Sequence, residues 1–431
     1  MTISASNKPK PRSHPRLTYD QVMANARDLV PILEKRAAAT EELRRLPDET
    51  MEDLYDAGLL RIYTPAAYGG LELEWPALPE AARIVGRVCP STAWIIAVVG
   101  GHTAICGRFP KALQDEIFAD GPDQLFVTAS AQTTGRITAA DGGYRLNGVW
   151  RFASGSDHGN WMMVNGEIHD AAGKKTGRNI RAICRAEEVE IVDTWHVAGM
   201  KGTGSKDLKF NDLFVPEHHT VDQPTNFQAG PPGAPVHPNC YLYDVPFAPY
   251  FSSWLLGPVI GCTEGAYDSY LAATKGRVGS MTASTVAQIH TVQERIAESF
   301  CELDAARALY DKHNRFLHER GAARRNIKVD EFIESGRERT YIGRLCFNSI
   351  SRLVRQMGAV GIFDTNPVQR HFRDMNVMQS QLALNWDVHM LNFGRRQLGL
   401  PTGMDRLDNP PPEKLAWGLT HKAAAAPGAK N

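Results

Sequence analysis

Trp150, Phe152 and Ser154 fall at every second position of an alternating run that follows the turn Asp141-Gly142-Gly143. Residues two apart on a strand share a face. The spacing therefore predicts two aromatic rings and a hydroxyl on one side, a surface for a planar heterocycle with an O–H aimed at a ring nitrogen. Ordinary sheet core ending in the polar turn Ser154-Gly155-Ser156-Asp157-His158 would show the same pattern. Asp157 and His158 suggest an ionic or catalytic pair, but neighbours on a strand point apart, so only a turn lets them meet. A second cluster is Gly199-Met200-Lys201-Gly202-Thr203-Gly204-Ser205-Lys206. Its backbone N–H groups and the Thr203 and Ser205 hydroxyls suit a phosphate or a ring edge; a tight turn between strands reads identically. Neither a GxGxxG loop after a strand nor a GxxxxGK(S/T) loop is present.

His102 lies in the longest apolar stretch, Thr92 to Ile105, which Gly100 and Gly101 interrupt. A buried imidazole there suits a general base, and a hydrogen-bonded core histidine is the plainer alternative. His196 ends a strand, His218-His219 reads as a surface turn, and His313 and His318 are poorly spaced for shared ligation. No HExxH motif and no GxSxG elbow occur, so neither a metal site nor Ser-His-Asp hydrolysis is expected.

Lys plus Arg equals Asp plus Glu at 48 each, which gives no reason to expect a nucleic-acid partner. The longest apolar stretch is too short to span a membrane, and no signal peptide is visible. Seven cysteines occur singly with no CxxC pair, as in a reducing, cytoplasmic setting.

The elements that must position these residues follow from periodicity. Residues 18–122 read as helices, with a buried helix over the apolar stretch that breaks near the two glycines. Short strands are expected at 126–130, 144–152, 162–166, 180–184, 189–195 and 207–215, a spacing that suggests a small antiparallel barrel or sandwich over 123–220. A proline-rich excursion, 221–250, is long enough to suggest a lid or interface arm. Residues 251–400 return to helix, with runs at 292–318, 345–357 and 368–398. Residues 1–17 read as a disordered leader and 401–431 as a tail.

Two C-terminal runs, Gln356-Met357-Gly358-Ala359-Val360-Gly361-Ile362-Phe363-Asp364 and Pro367-Val368-Gln369-Arg370-His371-Phe372-Arg373-Asp374, resemble the acyl-CoA dehydrogenase superfamily, as does Val292 to Glu298. Gly142 to Gly148 with Trp150, Phe152 and Ser154-Gly155 is similar to its two-component (group D) flavin-dependent monooxygenase branch, as are Thr194 to Asp207 and Val215-Pro216. The resemblance implies a mostly α chain with a central β domain: a helical N-terminal domain, a β-barrel middle and a C-terminal four-helix bundle, assembled as a homotetramer. It implies reduced FMN or FAD supplied by a separate NAD(P)H-dependent flavin reductase. Oxygen then adds at flavin C4a, and the hydroperoxide hydroxylates a small aromatic or polyketide-like substrate. It places Trp150, Phe152 and Ser154 at the flavin ring with Ser154 near N5, lines the ring with Thr128 and Ser130, and keeps Gly202, Thr203 and Ser205 near the flavin or its phosphate. Arg277 is the candidate phosphate contact, with a plain surface charge as the other reading.

One departure concerns the base. Where much of this branch carries a histidine seven residues after the Arg-Asp pair, this chain has Gln381, which on a continuous helix would share a face with Asp374. Glutamine orients an oxygen but does not titrate near neutral pH. His102 and His158 are the better substitutes by domain, and His389, further along the helix, the weaker one. The change leaves room for desaturation, oxidative cyclisation or N-oxygenation on the same fold, or for a non-catalytic scaffold.

Overall fold

The computed structural model describes residues 12–132, 134–170, 172–222, 230–279, 285–325, 327–404 and 419–420. The leader residues 1–11, residues 223–229 of the proline-rich stretch, and 405–418 and 421–431 of the tail lie outside the described residues.

The first layer is helical: α1 (Tyr19–Leu43), α2 (Asp48–Asp56), α3 (Ala77–Gly86), α4 (Pro90–Trp94), α5 (Thr103–Cys106) and α6 (Lys111–Ile117). Thr18 and Gln21 satisfy each other's backbone N–H in a capping box that starts α1. The apolar stretch is buried as expected. Between α4 and α5 it forms a π-helical turn, Ile95–Gly100, before the chain breaks at Gly101.

The second layer is one nine-stranded sheet. Its strands are β1 (Phe126–Ala129), β2 (Ala131–Gln132), β3 (Arg136–Ala140), β4 (Gly143–Ala153), β5 (Trp161–His169), β6 (Lys175–Arg185), β7 (Glu190–Val192), β8 (Lys206–Pro216) and β9 (Thr220–Asp222). The order is β7-β8-β4-β3-β5-β6-β9, with β1 on β5 and β2 on β4. The sheet is mixed rather than antiparallel throughout, because β1 and β3 both run parallel to β5. The chain leaves the sheet after β4 through 154–160 instead of closing a hairpin, so β5 enters beside β3 in the same direction.

The third layer is α7 (Phe247–Phe251), α8 (Leu256–Lys275), α9 (His290–Ala322), α10 (Val329–Gln356), α11 (Pro367–Gln379) and α12 (Trp386–Gln397). The single helix expected over 368–398 is two. The Gln381 side chain accepts from the Ala383 N–H at 2.5 Å and Asn385 from the Val388 N–H at 3.0 Å. These polar side chains compete with the backbone ladder and cap new starts.

Two devices tie the helical layers together. Gly257, Gly261 and Gly265 of α8 lie on the backbone of α3. A Cβ at these glycines would stand 2.2, 2.2 and 1.8 Å from the carbonyl oxygens of Pro79, Arg83 and Arg87. Glu264, between them, is buried and takes Arg83 and Arg307 at 2.7 Å each. The described part of the proline-rich excursion is a buried strap rather than a free lid. The Tyr241 hydroxyl accepts from the Trp75 N–H at 2.8 Å, Tyr243 donates to the Tyr63 carbonyl at 2.9 Å, and Arg108 donates to the Val245 carbonyl at 2.7 Å.

Candidate functional site

The register of β4 against β8 shifts between Trp150 and Ala153, and inside that shift Phe152 adopts φ 66°, the left-handed region. A bulge of this kind breaks the two-residue alternation. Trp150 therefore turns into the sheet core, 0% exposed, edge-on to Phe210 at 5.1 Å, with its indole N–H on the Asn165 carbonyl at 2.9 Å. Phe152 turns outward, 56% exposed and edge-on to Trp195 at 6.4 Å. The expectation that Trp150 shares a face with Phe152 and Ser154 is thus corrected, and Trp150 is a core residue. A bulky side chain at positive φ is strained, and such strain persists where the surroundings hold it.

Ser154 sits just beyond the bulge in a row of hydroxyls. Its Oγ accepts from the Trp94 indole N–H at 3.3 Å and lies 2.8 Å from Ser205 Oγ. Ser205 Oγ lies 2.7 Å from Thr203 Oγ1, which donates to the Met200 carbonyl at 2.8 Å. On β1, Thr128 is buried and its hydroxyl has no hydrogen-bond partner, while Ser130 is exposed. Trp94 escaped the sequence reading. It ends the short helix that Pro90-Ser91-Thr92 opens, and nothing local marks it as polar in role.

The glycine cluster is a joint between all three layers, not an open cradle. A Cβ on Gly202 would meet Thr40 Cγ2 at 2.3 Å, and one on Gly199 the Arg373 carbonyl oxygen at 2.2 Å. Gly202 thus faces α1 and leaves no room for a phosphate on that side. The Met200 N–H donates to Asp374 at 2.5 Å, Arg373 reaches the Ala198 carbonyl at 2.9 Å, and Lys201 pairs with Glu41 at 3.2 Å. From the sheet side, the Gly155 N–H donates to the Thr203 carbonyl at 2.8 Å, and Lys206 pairs with buried Asp157 at 2.6 Å. Burial raises the Asp374 carboxyl to about 6.

The remaining predicted residues scatter. His158 faces the Leu46 carbonyl at 3.1 Å, and the Asp157 carboxylate is paired with Lys206 at 2.6 Å. Gln381 has left the helix and caps its own turn, so it no longer shares a helical face with Asp374. His389 packs against α10, where a Cβ on Gly336 would touch its Nδ1 at 2.6 Å. Arg277 donates to the Gln356 and Met357 carbonyls at 3.0 Å each, closing the end of α10. Within this chain its guanidinium serves that helix end rather than a phosphate. His102 differs: its Nδ1–H donates to the Phe126 carbonyl at 2.6 Å, and its buried Nε2 has no hydrogen-bond partner. Its ring stacks on Phe251 at 6.0 Å. A cavity of about 480 Å³ lies elsewhere, bordered by Arg136, Arg145 and Asp212. His218-His219 is more than a turn, since Glu116, His218 and His219 bring potential ligand atoms within 4.8 Å of one another. Among the described residues no helix is long and apolar enough to cross a membrane.

Burial holds His102 and His371 down to about 3 and His158 to about 4. A depressed histidine contributes stability that is present above its unfolded value of 6.5 and lost as pH falls toward the folded value. Asp374 works in the opposite direction, its contribution fading as pH rises through about 6. Three histidines outweigh one carboxyl, so thermal denaturation is expected to show stability falling from pH 6.5 to 4.5, on the order of 1–3 kcal/mol per pH unit. An equal or higher melting temperature at pH 5 than at pH 7 would contradict this.

Comparison with known proteins fits this architecture. The model of the acyl-CoA dehydrogenase N-terminal domain matches residues 19–111, and that of the C-terminal domain residues 253–386. The chain is 33% identical to a pigment production hydroxylase of Rhodococcus sp., covering 89% of this chain and 98% of that one. It is 31% identical to the oxygenase component of an FADH2-dependent resorcinol hydroxylase of Rhizobium sp., over 84% and 90% of the two chains. The crystal structure of the HsaA monooxygenase of M. tuberculosis superposes with a TM-score of 0.83 at 29% identity, covering 90% of this chain and 99% of that one. With the π-turned apolar helix, the bulged β4 and the jointed glycine loop all on this frame, the chain belongs to the acyl-CoA dehydrogenase superfamily, within its branch of flavin-dependent monooxygenase oxygenase components.

Proposed function

We propose that this chain is the oxygenase component of a two-component monooxygenase. It accepts reduced FMN or FAD from a separate NAD(P)H-dependent reductase and uses O2 to hydroxylate a small aromatic or polyketide-like substrate. The observation that carries the reading is the pairing of Phe152 with Ser154. A strained, exposed aromatic ring stands next to a buried hydroxyl row, in a chain one third identical to a hydroxylase over most of its length.

The residues present fit a flavin ring. Phe152 offers a largely exposed ring with the Arg151 guanidinium 6.0 Å from its centroid, Ser154 an oxygen at one edge, and Thr128 a buried hydroxyl that still lacks a partner. Bound there, reduced flavin supplies the two electrons that activate O2. The chain's own share is to position and to exclude water. Phe152 with Trp195 sets the plane, Ser154 fixes one ring position, and Thr128 holds an edge. His102 is neutral at physiological pH, and its unpartnered Nε2 is suited to accept a hydrogen bond from a substrate hydroxyl; burial holds it down to about 3, too weak a base to take the proton away. His158, Gln381 and His389 keep positioning roles at most, because the two histidines face the Leu46 and Leu382 carbonyls and Gln381 caps its own turn. Exposed apolar side chains flanking the last two helices, among them Ile362, Leu382 and Leu398, support assembly with further copies as a homotetramer; the setting we propose is the cytoplasm.

The test is turnover with a flavin reductase, NAD(P)H and a panel of phenols and fused-ring aromatics under 18O2. One labelled oxygen per product is expected. Dehydrogenated or cyclised product without label would replace hydroxylation by another flavin oxidation, and absence of binding to either flavin state would favour a scaffold.

A further inference from the structure

We infer that the row Thr203, Ser205 and Ser154 has a fixed proton direction, which makes Ser154 a hydrogen-bond acceptor toward the flavin and so selects the reduced ring over the oxidised one. This rests on the proposed placement of flavin beside Ser154.

The direction follows from counting donors. Each hydroxyl has one proton to give. The Met200 carbonyl can only accept, and Thr203 Oγ1 donates to it at 2.8 Å. Thr203 has then spent its proton, so across the 2.7 Å contact Ser205 donates to Thr203. Ser205 has spent its own, so across the 2.8 Å contact Ser154 donates to Ser205. At the far end the Trp94 indole, which is donor only, gives its N–H to Ser154 Oγ at 3.3 Å. Ser154 is left with no proton and one free lone pair.

Reversing the row would let Ser154 donate outward, but it would leave the Thr203 to Met200 bond unmade. The row is buried: Thr203, Ser205 and Ser154 are 2%, 4% and 9% exposed, so water is poorly placed to repair that loss. Met200 itself is held by its N–H on Asp374 and by Trp195, whose indole donates to the same carbonyl at 3.1 Å. The anchor is thus built from the glycine loop and α11 together.

Reduced flavin carries a proton on N5 and donates there, whereas oxidised N5 only accepts. An acceptor-only Ser154 pairs with the first and opposes the second. Thr203 and Ser205 are therefore positioning residues, which act through Ser154 rather than by touching the phosphate.

The experiment is equilibrium binding of the same flavin in both states to the full chain, reduced under strict anaerobiosis and oxidised in air. The quantity read is the ratio of the two dissociation constants. Wild type should favour reduced flavin. In Thr203→Val and in Ser205→Ala the row loses its anchor, and the preference should shrink about fivefold, as the loss of one neutral hydrogen bond implies. Thr203→Ser, which keeps the hydroxyl, should retain the wild-type ratio. A ratio unchanged in both Thr203→Val and Ser205→Ala overturns the inference while leaving the flavin site in place. Should Thr203→Val fail to fold, Ser205→Ala alone decides. Wild type that binds neither flavin state overturns both this inference and the reading on which it rests.

Discussion

Phe152→Gly is expected to melt at a higher temperature than wild type and yet to bind reduced flavin some thirtyfold more weakly. Phe152 holds φ 66° while 56% of it faces solvent. A non-glycine residue in that region carries roughly 1–2 kcal/mol of strain, and glycine adopts it freely. The ring offsets little of this in the free protein, since its aromatic contact is an edge on Trp195. Removing it should therefore stabilise the free chain by about 1 kcal/mol, the added chain entropy of glycine taking back the rest. Stacking of a planar ring on an aromatic side chain is worth about 1–3 kcal/mol, so about 2 kcal/mol of flavin affinity should go with it. Opposite signs for stability and binding are the signature of strain kept for a ligand. A chain that melts lower and binds flavin as before would show that Phe152 is merely packed.

Gly261→Ala should have a large effect on folding. The added methyl would stand 2.2 Å from the Arg83 carbonyl oxygen and 3.0 Å from the Gly86 Cα. These are backbone atoms and cannot swing aside, so α3 and α8 must separate. Overpacking usually costs about 1–3 kcal/mol, and a backbone obstacle puts this case near the upper end. The separation also loosens Glu264, buried between Arg83 and Arg307, and a buried carboxylate that loses its partners is costly. Denaturant unfolding should show a loss of about 3 kcal/mol or no folded chain. Gly276→Ala is the comparison: nothing lies within 4 Å of its added methyl, and it should cost well under 1 kcal/mol. Equal stability of the two variants would contradict the close packing.

The sequence pattern makes the layers legible but not their joints. Alternation located β4, β5, β6 and β8 within a few residues, because their inward faces are strongly apolar. It missed β3, Arg136–Ala140, where Arg, Thr and Ala give a weak period, and the short β2 and β9. The bulge at Phe152 was hidden, since a phenylalanine is the last residue type to announce a positive φ. Gln381 and Asn385 do carry a local signal for the break between α11 and α12, as polar side chains able to cap new starts, but helical propensity either side masks it. The four-residue spacing of Gly257, Gly261 and Gly265 does carry a local signal for a close helix contact. Ser154 was legible as a candidate by spacing. Its neighbours Ser205 and Thr203 were found by type, while their relation to Ser154 depends on the loop folding back over β4. The Trp94 contact joins residues 60 apart in the chain, which no local pattern encodes.

The central claim is that reduced flavin lies against Phe152 with Ser154 at its edge. Crystals grown anaerobically with reduced FMN or FAD test it most directly. The account predicts ring density over the Phe152 face, within hydrogen-bond reach of Ser154 Oγ and of the Thr128 hydroxyl. Density that leaves Phe152 bare and occupies instead the cavity beside Arg136 and Arg145 would contradict it.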